Sequence, residues 1–283
     1  MQLNVREITP QDRQTLANLI HFEMYVHRHL DWRTPLEWIG FQPYLVAEHQ
    51  GRLVGALACP LDLPEVAWIR LLVVDSTVPI QAAWQALWEA AKAQLERLGS
   101  PSAAAIVTQD WLRRLLEASG FTHTNNVVVL QWEAAQDLPA PRAEAMTIRT
   151  MTTADLEAVE RLDHAAFKAE WQNSAGALKL AYNQAALASV AFQAEKLVGY
   201  QISTTSPSGG PLARLAVHPS VWGKGIGYAL VYDLLEAFQA RGVRQVTVNT
   251  QKDNAASVAL YSRAGFIITD EHYQVYQFGA DQV

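Results

Sequence analysis

Cysteine is nearly absent: among 283 residues only Cys59 carries a thiol. No intrachain disulfide can form and a four-thiolate zinc site is excluded, so a reducing cytoplasm is the expected compartment. Long apolar runs are missing as well. Nothing approaches the roughly 18 consecutive apolar residues of a membrane-spanning helix. The first dozen residues, Met1 to Asp12, are mixed polar and charged, so no export signal or membrane partner is expected. Positive charge is in deficit, with 22 bases against 28 acids, a net charge of -6 and a pI near 5.7. That balance disfavours phosphate-backbone binding, and nucleic acid is not an expected partner. With half the residues hydrophobic and 18% charged, the composition is that of a folded protein, not a disordered one.

What is present is a pattern written twice. At roughly 150 residues per domain the length predicts two domains. The proline-containing stretch from Glu133 to Met146, with Pro139, Pro141 and no apolar period, marks the join. The expected organisation is a first domain over 1–135, a linker over 136–146 and a second domain over 147–283. Asn4-Val5-Arg6-Glu7-Ile8 leads into Thr9-Pro10-Gln11-Asp12, and Thr147-Ile148-Arg149-Thr150-Met151 leads into Thr152-Thr153-Ala154-Asp155. Each is a short strand followed by a threonine cap with an acid three residues on. Arg52-Leu53-Val54-Gly55 matches Lys196-Leu197-Val198-Gly199, and Arg70-Leu71-Leu72-Val73 matches Arg214-Leu215-Ala216-Val217, both at an offset of 144. Ser119-Gly120-Phe121 matches Ala264-Gly265-Phe266 one residue further on.

Each half alternates strands with helices. Tyr228, Val231, Leu234, Leu235 and Phe238 share one helical face before Gly242, and Trp84, Leu87, Trp88, Ala91, Leu95 and Leu98 share another before Gly99. These tryptophans are expected in a core. Val246 and Val248 predict a strand, and Asn254 to Ala264 a second helix closed by Gly265.

The segment Leu215-Ala216-Val217-His218-Pro219-Ser220-Val221-Trp222-Gly223-Lys224-Gly225-Ile226-Gly227 runs from strand to helix. Its alternate glycines permit tight turns and close backbone approach, and the N–H groups of the helix's first turn favour an anion. Alone, this pattern fits either a pyrophosphate cradle or a bare turn packed under a helix. It matches neither the Walker pattern nor G-x-G-x-x-G. Later, Asn254-Ala255-Ala256-Ser257-Val258-Ala259-Leu260-Tyr261 opens a helix. Seven residues place Asn254 and Tyr261 on one face about 10 Å apart, where one long ligand could touch both.

These two motifs, in this order, resemble those of the GNAT superfamily of acetyl-CoA-dependent N-acetyltransferases. The resemblance covers about residues 147 to 278. It implies an α/β fold of two tandem GNAT-like acyl-CoA N-acyltransferase domains, each a twisted mixed sheet flanked by helices. The implied co-substrate is acetyl-CoA, held by Leu215, Ala216, Val217, Trp222, Gly223, Lys224, Gly225, Ile226, Gly227, Asn254, Ser257 and Tyr261, with no metal. A backbone N–H near Val217 would polarise the thioester carbonyl, and Tyr261 would protonate the leaving thiolate. A phenol with an ordinary pKa near 10 suits that role; a core tyrosine is the alternative. Phe167-Lys168-Ala169-Glu170-Trp171 also resembles the substrate-side helix of the ribosomal-protein and peptide N-terminal acetyltransferases.

Two positions depart from the family. Trp222 stands where Gln or Arg is usual, and Asn249 stands where the peptide-acetylating branch often has a glutamate base. Glu170, Asp163 and His164 are the remaining candidates for the base, with Glu170 the chosen one. At pH 7 an α-amine with pKa near 8 is roughly one-tenth neutral, against fewer than about one in a thousand for a lysine amine. A site without a strong base therefore favours a peptide N-terminus or small-molecule amine attacking directly.

In the first half the offset sets Pro79, Gln81 and Ala83 against Gly223, Gly225 and Gly227, and sets Gln109 and Leu116 against Asn254 and Tyr261. Pro79 lacks an N–H and Leu116 cannot donate a proton, so the first domain is expected to keep the fold, lose acyl-CoA and wall part of the acceptor site. His21, His27 and His29 cluster without metal-ligand spacing. The rival readings are an acyl-CoA sensor without turnover and an enzyme for a longer acyl chain; self-association is compatible with either.

Overall fold

Both halves begin with the same piece of chain. In the computed structural model, described for residues 1–99, 102–134, 138–141, 146–206 and 209–279, Thr9 and Thr152 each open a short 3₁₀ turn with a reciprocal capping box. Asp12 takes two hydrogen bonds from Arg6 at 2.7 and 2.8 Å, and Asp155 takes two from Arg149 at 2.8 and 2.7 Å. One carboxylate thus caps the turn and binds a guanidinium fork, a doubly charge-assisted arrangement.

The first half runs β1 (Asn4–Glu7), α1 (Arg13–Phe22), β2 (Tyr25–Arg28), β3 (Tyr44–His49), β4 (Arg52–Ala58), β5 (Val66–Trp68), β6 (Leu71–Val74), α2 (Ile80–Arg97), β7 (Ser102–Val107), α3 (Asp110–Ala118) and β8 (Thr122–Glu133). The second runs β9 (Met146–Thr150), α4 (Leu156–Ala166), α5 (Ala175–Gln184), β10 (Leu187–Gln193), β11 (Lys196–Ser203), β12 (Gly210–Val217), α6 (Ile226–Ala240), β13 (Gln245–Gln251), α7 (Ala255–Arg263) and β14 (Ile267–Phe278). Residues 135–137 and 142–145, which fall in the expected linker, lie outside the described residues.

Compaction does not follow the halves of the sequence. One unit comprises Met1–Thr124 with Gln274–Val283, the other Asn125–Tyr273. Each unit is completed by a strand from the far half: Gln274–Phe278 of β14 pair antiparallel with β7 in the first, and Val127–Glu133 of β8 pair with β13 in the second. These are long-range pairings, which local sequence patterns do not encode.

In the first unit β1, β3, β4, β6 and β2 form a five-stranded sheet in that order. α2 buries Trp84, Leu87, Trp88, Ala91 and Leu95 in the core as expected, while Leu98 at its C-terminal cap is exposed. Trp84 and Trp88 stack with centroids 5.6 Å apart. In the second unit α6 buries Tyr228, Val231, Leu234, Leu235 and Phe238 in one core with Val246 and Val248. The repeated glycine has one physical reason in both units. A Cβ on Gly55 would meet Val73 O at 3.2 Å and Leu87 at 3.5 Å, and one on Gly199 would meet Ala216 O at 3.2 Å and Leu230 at 2.9 Å. The long helix comes close to the sheet only where that strand lacks a side chain.

Candidate active site

In the second unit β12 changes partners along its length. Gly210, Pro211 and Leu212 pair in parallel with β13, and the pairing stops there. A bulge follows: Ser203 of β11 faces Leu212 and Ile202 faces Arg214, leaving Ala213 over. Such an insertion bends a strand, and beyond it Arg214 to Val217 pair only with β11. His218 N–H bonds Val198 C=O at 2.9 Å. Antiparallel alternation then turns the N–H and C=O of Leu215 and Val217 away from β11, toward the side β13 has left. Two residues of strand edge are open there.

The loop that follows closes one end of this opening. Pro219–Val221 form a 3₁₀ turn, Gly223 and Gly225 sit at φ of +77° and +81°, and Gly225 caps α6. A Cβ at either glycine would find nothing within 4 Å, so the backbone, not crowding, requires them. The first helical bond runs from Ala229 N–H to Gly225 C=O at 3.0 Å, which leaves the N–H groups of Ile226, Gly227 and Tyr228 as first-turn donors. Gly227 differs from its two neighbours: a Cβ there would meet Leu260 at 3.1 Å, so it serves the packing of α6 on α7.

Trp222 makes a contact that the sequence does not announce. The residue is 60% exposed, and its Nε1–H donates to Val217 C=O at 2.7 Å. The indole thus caps one of the open acceptors of β12. Lys224 is exposed, whereas Ala216 and Ile226 are buried in the cores that hold the strand and helix.

Asn254 caps α7, its side-chain oxygen accepting from Ser257 N–H at 3.1 Å. Seven residues on, Tyr261 is buried in the core with its ring 5.6 Å from Phe266. Burial raises its phenol well above the ordinary range, against a smaller opposing effect of Arg214. It therefore carries its proton at neutral pH.

The three candidate bases fare differently. Asp163 has no exposed surface and is saturated by Arg214 Nε and Nη2 at 2.8 Å each, by Asn173 N–H at 2.9 Å and by the Tyr200 hydroxyl. A carboxylate so held is a structural anchor. His164 Nε2 is 3.0 Å from Asn173 C=O. Glu170 lies half-buried in the 3₁₀ turn Ala169–Trp171, whose last carbonyl accepts from Arg214 Nη2 at 2.7 Å. Asn249 is exposed on β13. Arg214, stacked 3.5 Å over Phe167, ties α4, this turn and β12 together, a role its sequence neighbours do not signal.

The equivalent strand in the first unit is closed. Leu71 to Val74 of β6 pair with β4 on one side and with Arg28 to Tyr25 of β2 on the other. Val74 faces Gly55 as Val217 faces Gly199, so Leu72 and Val74 are the counterparts of Leu215 and Val217, and β2 occupies the edge that β12 leaves open. The strand register also corrects the sequence alignment, which set Arg70 against Arg214 and Val73 against Val217: Arg214 corresponds to Leu71, one residue later. Four residues, Asp75 to Val78, join β6 to the cap of α2 at Pro79, against seven, His218 to Lys224, before Gly225. α2 starts earlier and supplants the glycine loop. Leu116 does correspond to Tyr261: Phe121 N–H bonds Leu116 C=O at 3.1 Å, and Phe266 N–H bonds Tyr261 C=O at 3.0 Å.

The acetyltransferase (GNAT) family model matches residues 156–266, the stretch from α4 to the end of the α7 turn. The second half of the chain belongs to the GNAT superfamily. A mycothiol acetyltransferase of Saccharomonospora viridis is 30% identical over 184 residues, 56% of this chain and 60% of that one. A [ribosomal protein bS18]-alanine N-acetyltransferase of Escherichia coli is 29% identical over 122 residues, 42% of this chain and 80% of that one. The chain spans about 57 to 63% of the length of the mycothiol acetyltransferases it matches. Two solved structures share the fold of the whole chain. A GCN5-related N-acetyltransferase from Sphaerobacter thermophilus superposes with a TM-score of 0.62 at 17% identity, over 98% of this chain and 95% of that one. A tandem GNAT protein from the clavulanic acid biosynthesis pathway superposes with a TM-score of 0.66 at 16% identity, over 98% of each. The chain is thus two GNAT-like α/β units in tandem. No helix among the described residues is long and apolar enough to cross a membrane.

Proposed function

We propose that this chain transfers an acetyl group from acetyl-CoA to a primary amine, using the second unit alone. The observation that carries the reading is the pair of open backbone positions, Leu215 and Val217, on the strand that runs into the glycine loop, with Leu215 packed against the core that holds Tyr261. Acetyl-CoA brings an activated thioester, an extended amide-containing arm and a pyrophosphate. The open edge of β12 fits the arm as an added strand would. Gly223, Gly225 and the N–H groups of Ile226 to Tyr228 fit the pyrophosphate. The Val217 N–H polarises the thioester carbonyl, and Tyr261, protonated by virtue of its burial, hands its proton to the departing thiolate. Asn254 spends its oxygen on capping α7 and keeps its amide N–H groups for the ligand, while Ser257 acts through that cap.

The acceptor is an α-amine of a peptide N-terminus or small molecule that loses its proton through water or Glu170. Asp163 takes no part, because its lone pairs are committed. Thiol release from acetyl-CoA across a panel of amines at pH 7 tests the reading: α-amines should turn over faster than lysine side chains. Equal or faster turnover on lysine would remove the acceptor class, and no turnover on any amine would favour a sensor. One observation favours that second reading, the Trp222 indole on Val217 C=O, which a ligand must displace to use the acceptor.

A further inference from the structure

In the first unit the chain leaving β2 runs into a cluster of charged and aromatic side chains that the acyl-transfer reading does not use. Arg33 and Arg70 both lie against the ring of Trp38, their guanidinium carbons 4.7 and 5.2 Å from its centroid, and hence within about 10 Å of each other. Their ion pairs are loose: Arg33 Nη1 is 3.6 Å from Asp62 and Arg70 Nη1 is 3.5 Å from Asp31. Asp31 instead accepts from Trp38 Nε1 at 2.8 Å. Four buried polar atoms have no hydrogen-bond partner: Arg33 Nη1, Arg70 Nε, His29 Nδ1 and His27 Nδ1. These four are among only six such side-chain atoms found among the described residues.

His27 donates Nε2–H to Ile69 C=O at 3.3 Å, which leaves its Nδ1 a lone pair and not a donor. Folded proteins pair their buried polar groups, and the three unsatisfied nitrogens that can donate, Arg33 Nη1, Arg70 Nε and His29 Nδ1, mark where a ligand supplies missing acceptors. The two arginines bring two positive charges against Asp31 and Asp62. Burial lowers His27 to about 4, and burial with Arg70 and His27 nearby lowers His29 well below its ordinary value, so both rings are neutral at pH 7. The four charges cancel, so a singly charged oxyanion adds one uncompensated charge and a doubly charged one adds two, which favours the former. The walls are flat and apolar: Trp38 and Phe41 lie beside Arg33, and Trp68 lies 5.1 Å from His29. Arg33 and Arg70 keep 15 and 13% of their side-chain surface exposed and Phe41 is 40% exposed, so the rim of the cluster is open, while the unpaired nitrogens lie beneath it and are reached only when these side chains shift.

We propose that the first unit holds a binding site for a small organic carboxylate, clasped by Arg33, Arg70 and His29 beside Trp38 and Phe41. Arg33 Nη1 and Arg70 Nε donate to the two carboxylate oxygens, and the aromatic rings take the organic body. The site is independent of acyl transfer, which the second unit performs.

The test is titration of the full chain with benzoate at pH 7, without acetyl-CoA, read by calorimetry and by shift of the thermal midpoint. Benzoate should bind saturably and raise the midpoint. Arg33→Gln, which removes a donor held only by the loose 3.6 Å ion pair to Asp62, should weaken binding at least tenfold while leaving the unliganded midpoint within a few degrees. His29→Phe should weaken it less. Because Arg70→Gln strands Asp31 in the core, chemical-shift perturbation of the histidine ring nitrogens by benzoate in the unsubstituted chain provides the second readout. Absence of saturable binding, equal affinity in Arg33→Gln, or unmoved His29 signals would overturn the site. Inorganic phosphate binding more tightly than benzoate would overturn the ligand class.

Discussion

The two units share a framework and differ at one slot. Asp12 and Asp155 cap and clamp the same turn in the same way, and Gly55 and Gly199 admit the same helix. Yet β6 is paired on both edges while the last residues of β12 are paired on one. A GNAT-like unit can therefore fill that edge without losing its sheet. A strand of the chain itself, Tyr25–Arg28, takes the hydrogen bonds that, on the proposed function, the acyl-CoA arm takes in the second unit. Loss of the glycine loop, the cap at Pro79 and Leu116 in place of a phenol are changes around a slot already filled.

Five substitutions probe that asymmetry. Tyr261→Phe should lower kcat by about 10²- to 10⁴-fold, the range for a general acid, with acetyl-CoA affinity kept; Leu116→Tyr in the first unit should restore nothing. A side chain at Gly225 meets no atom but must adopt a left-handed backbone, costing roughly 1–2 kcal/mol. Gly225→Val should therefore raise the dissociation constant for acetyl-CoA about 5- to 30-fold by calorimetry, whereas Pro79→Gly should leave it unchanged. Trp222→Phe keeps an aromatic ring but drops the indole N–H. A hydrogen bond of about 0.5–1.5 kcal/mol is then no longer lost on binding, and affinity should rise roughly 2- to 10-fold. Unchanged affinity would mean that the Val217 carbonyl stays capped when ligand binds.

The smallest expected contrast concerns acid stability. Hydrogen bonds from Arg149 hold the Asp155 carboxyl at about 2, and those from Arg6 hold Asp12 lower still. Both folded values lie below the unfolded value of about 3.9. The stabilisation is fully present above that pH and is lost as pH falls toward 2. Asp12→Asn and Asp155→Asn should flatten the fall of the thermal midpoint between pH 4 and 2 by similar amounts. A one-sided effect would break the equivalence of the two turns.

Much of this was legible in the residues, and the reason is locality. The capping boxes, the helix faces of α2 and α6, the glycine loop and the cap at Asn254 depend on neighbours a few positions apart, and each is written in its own segment. What escaped depends on pairing across the chain. Nothing in Tyr25-Val26-His27-Arg28 says that it will lie beside β6, and nothing in Gln274–Phe278 says that it will complete the first unit. The one-residue slip between Arg70 and Arg214 has the same origin. Similar residues aligned where the strand register does not, and in a strand one residue exchanges the two faces. Asp163 read as a free acid because its partners, Arg214 and Tyr200, are supplied by two strands far along the chain.

Calorimetric titration of the full chain with acetyl-CoA tests the asymmetry most directly. One molecule is expected to bind per chain, weakened by Gly225→Val and indifferent to Pro79→Gly. Two molecules per chain, or a single site that ignores Gly225→Val, would contradict it.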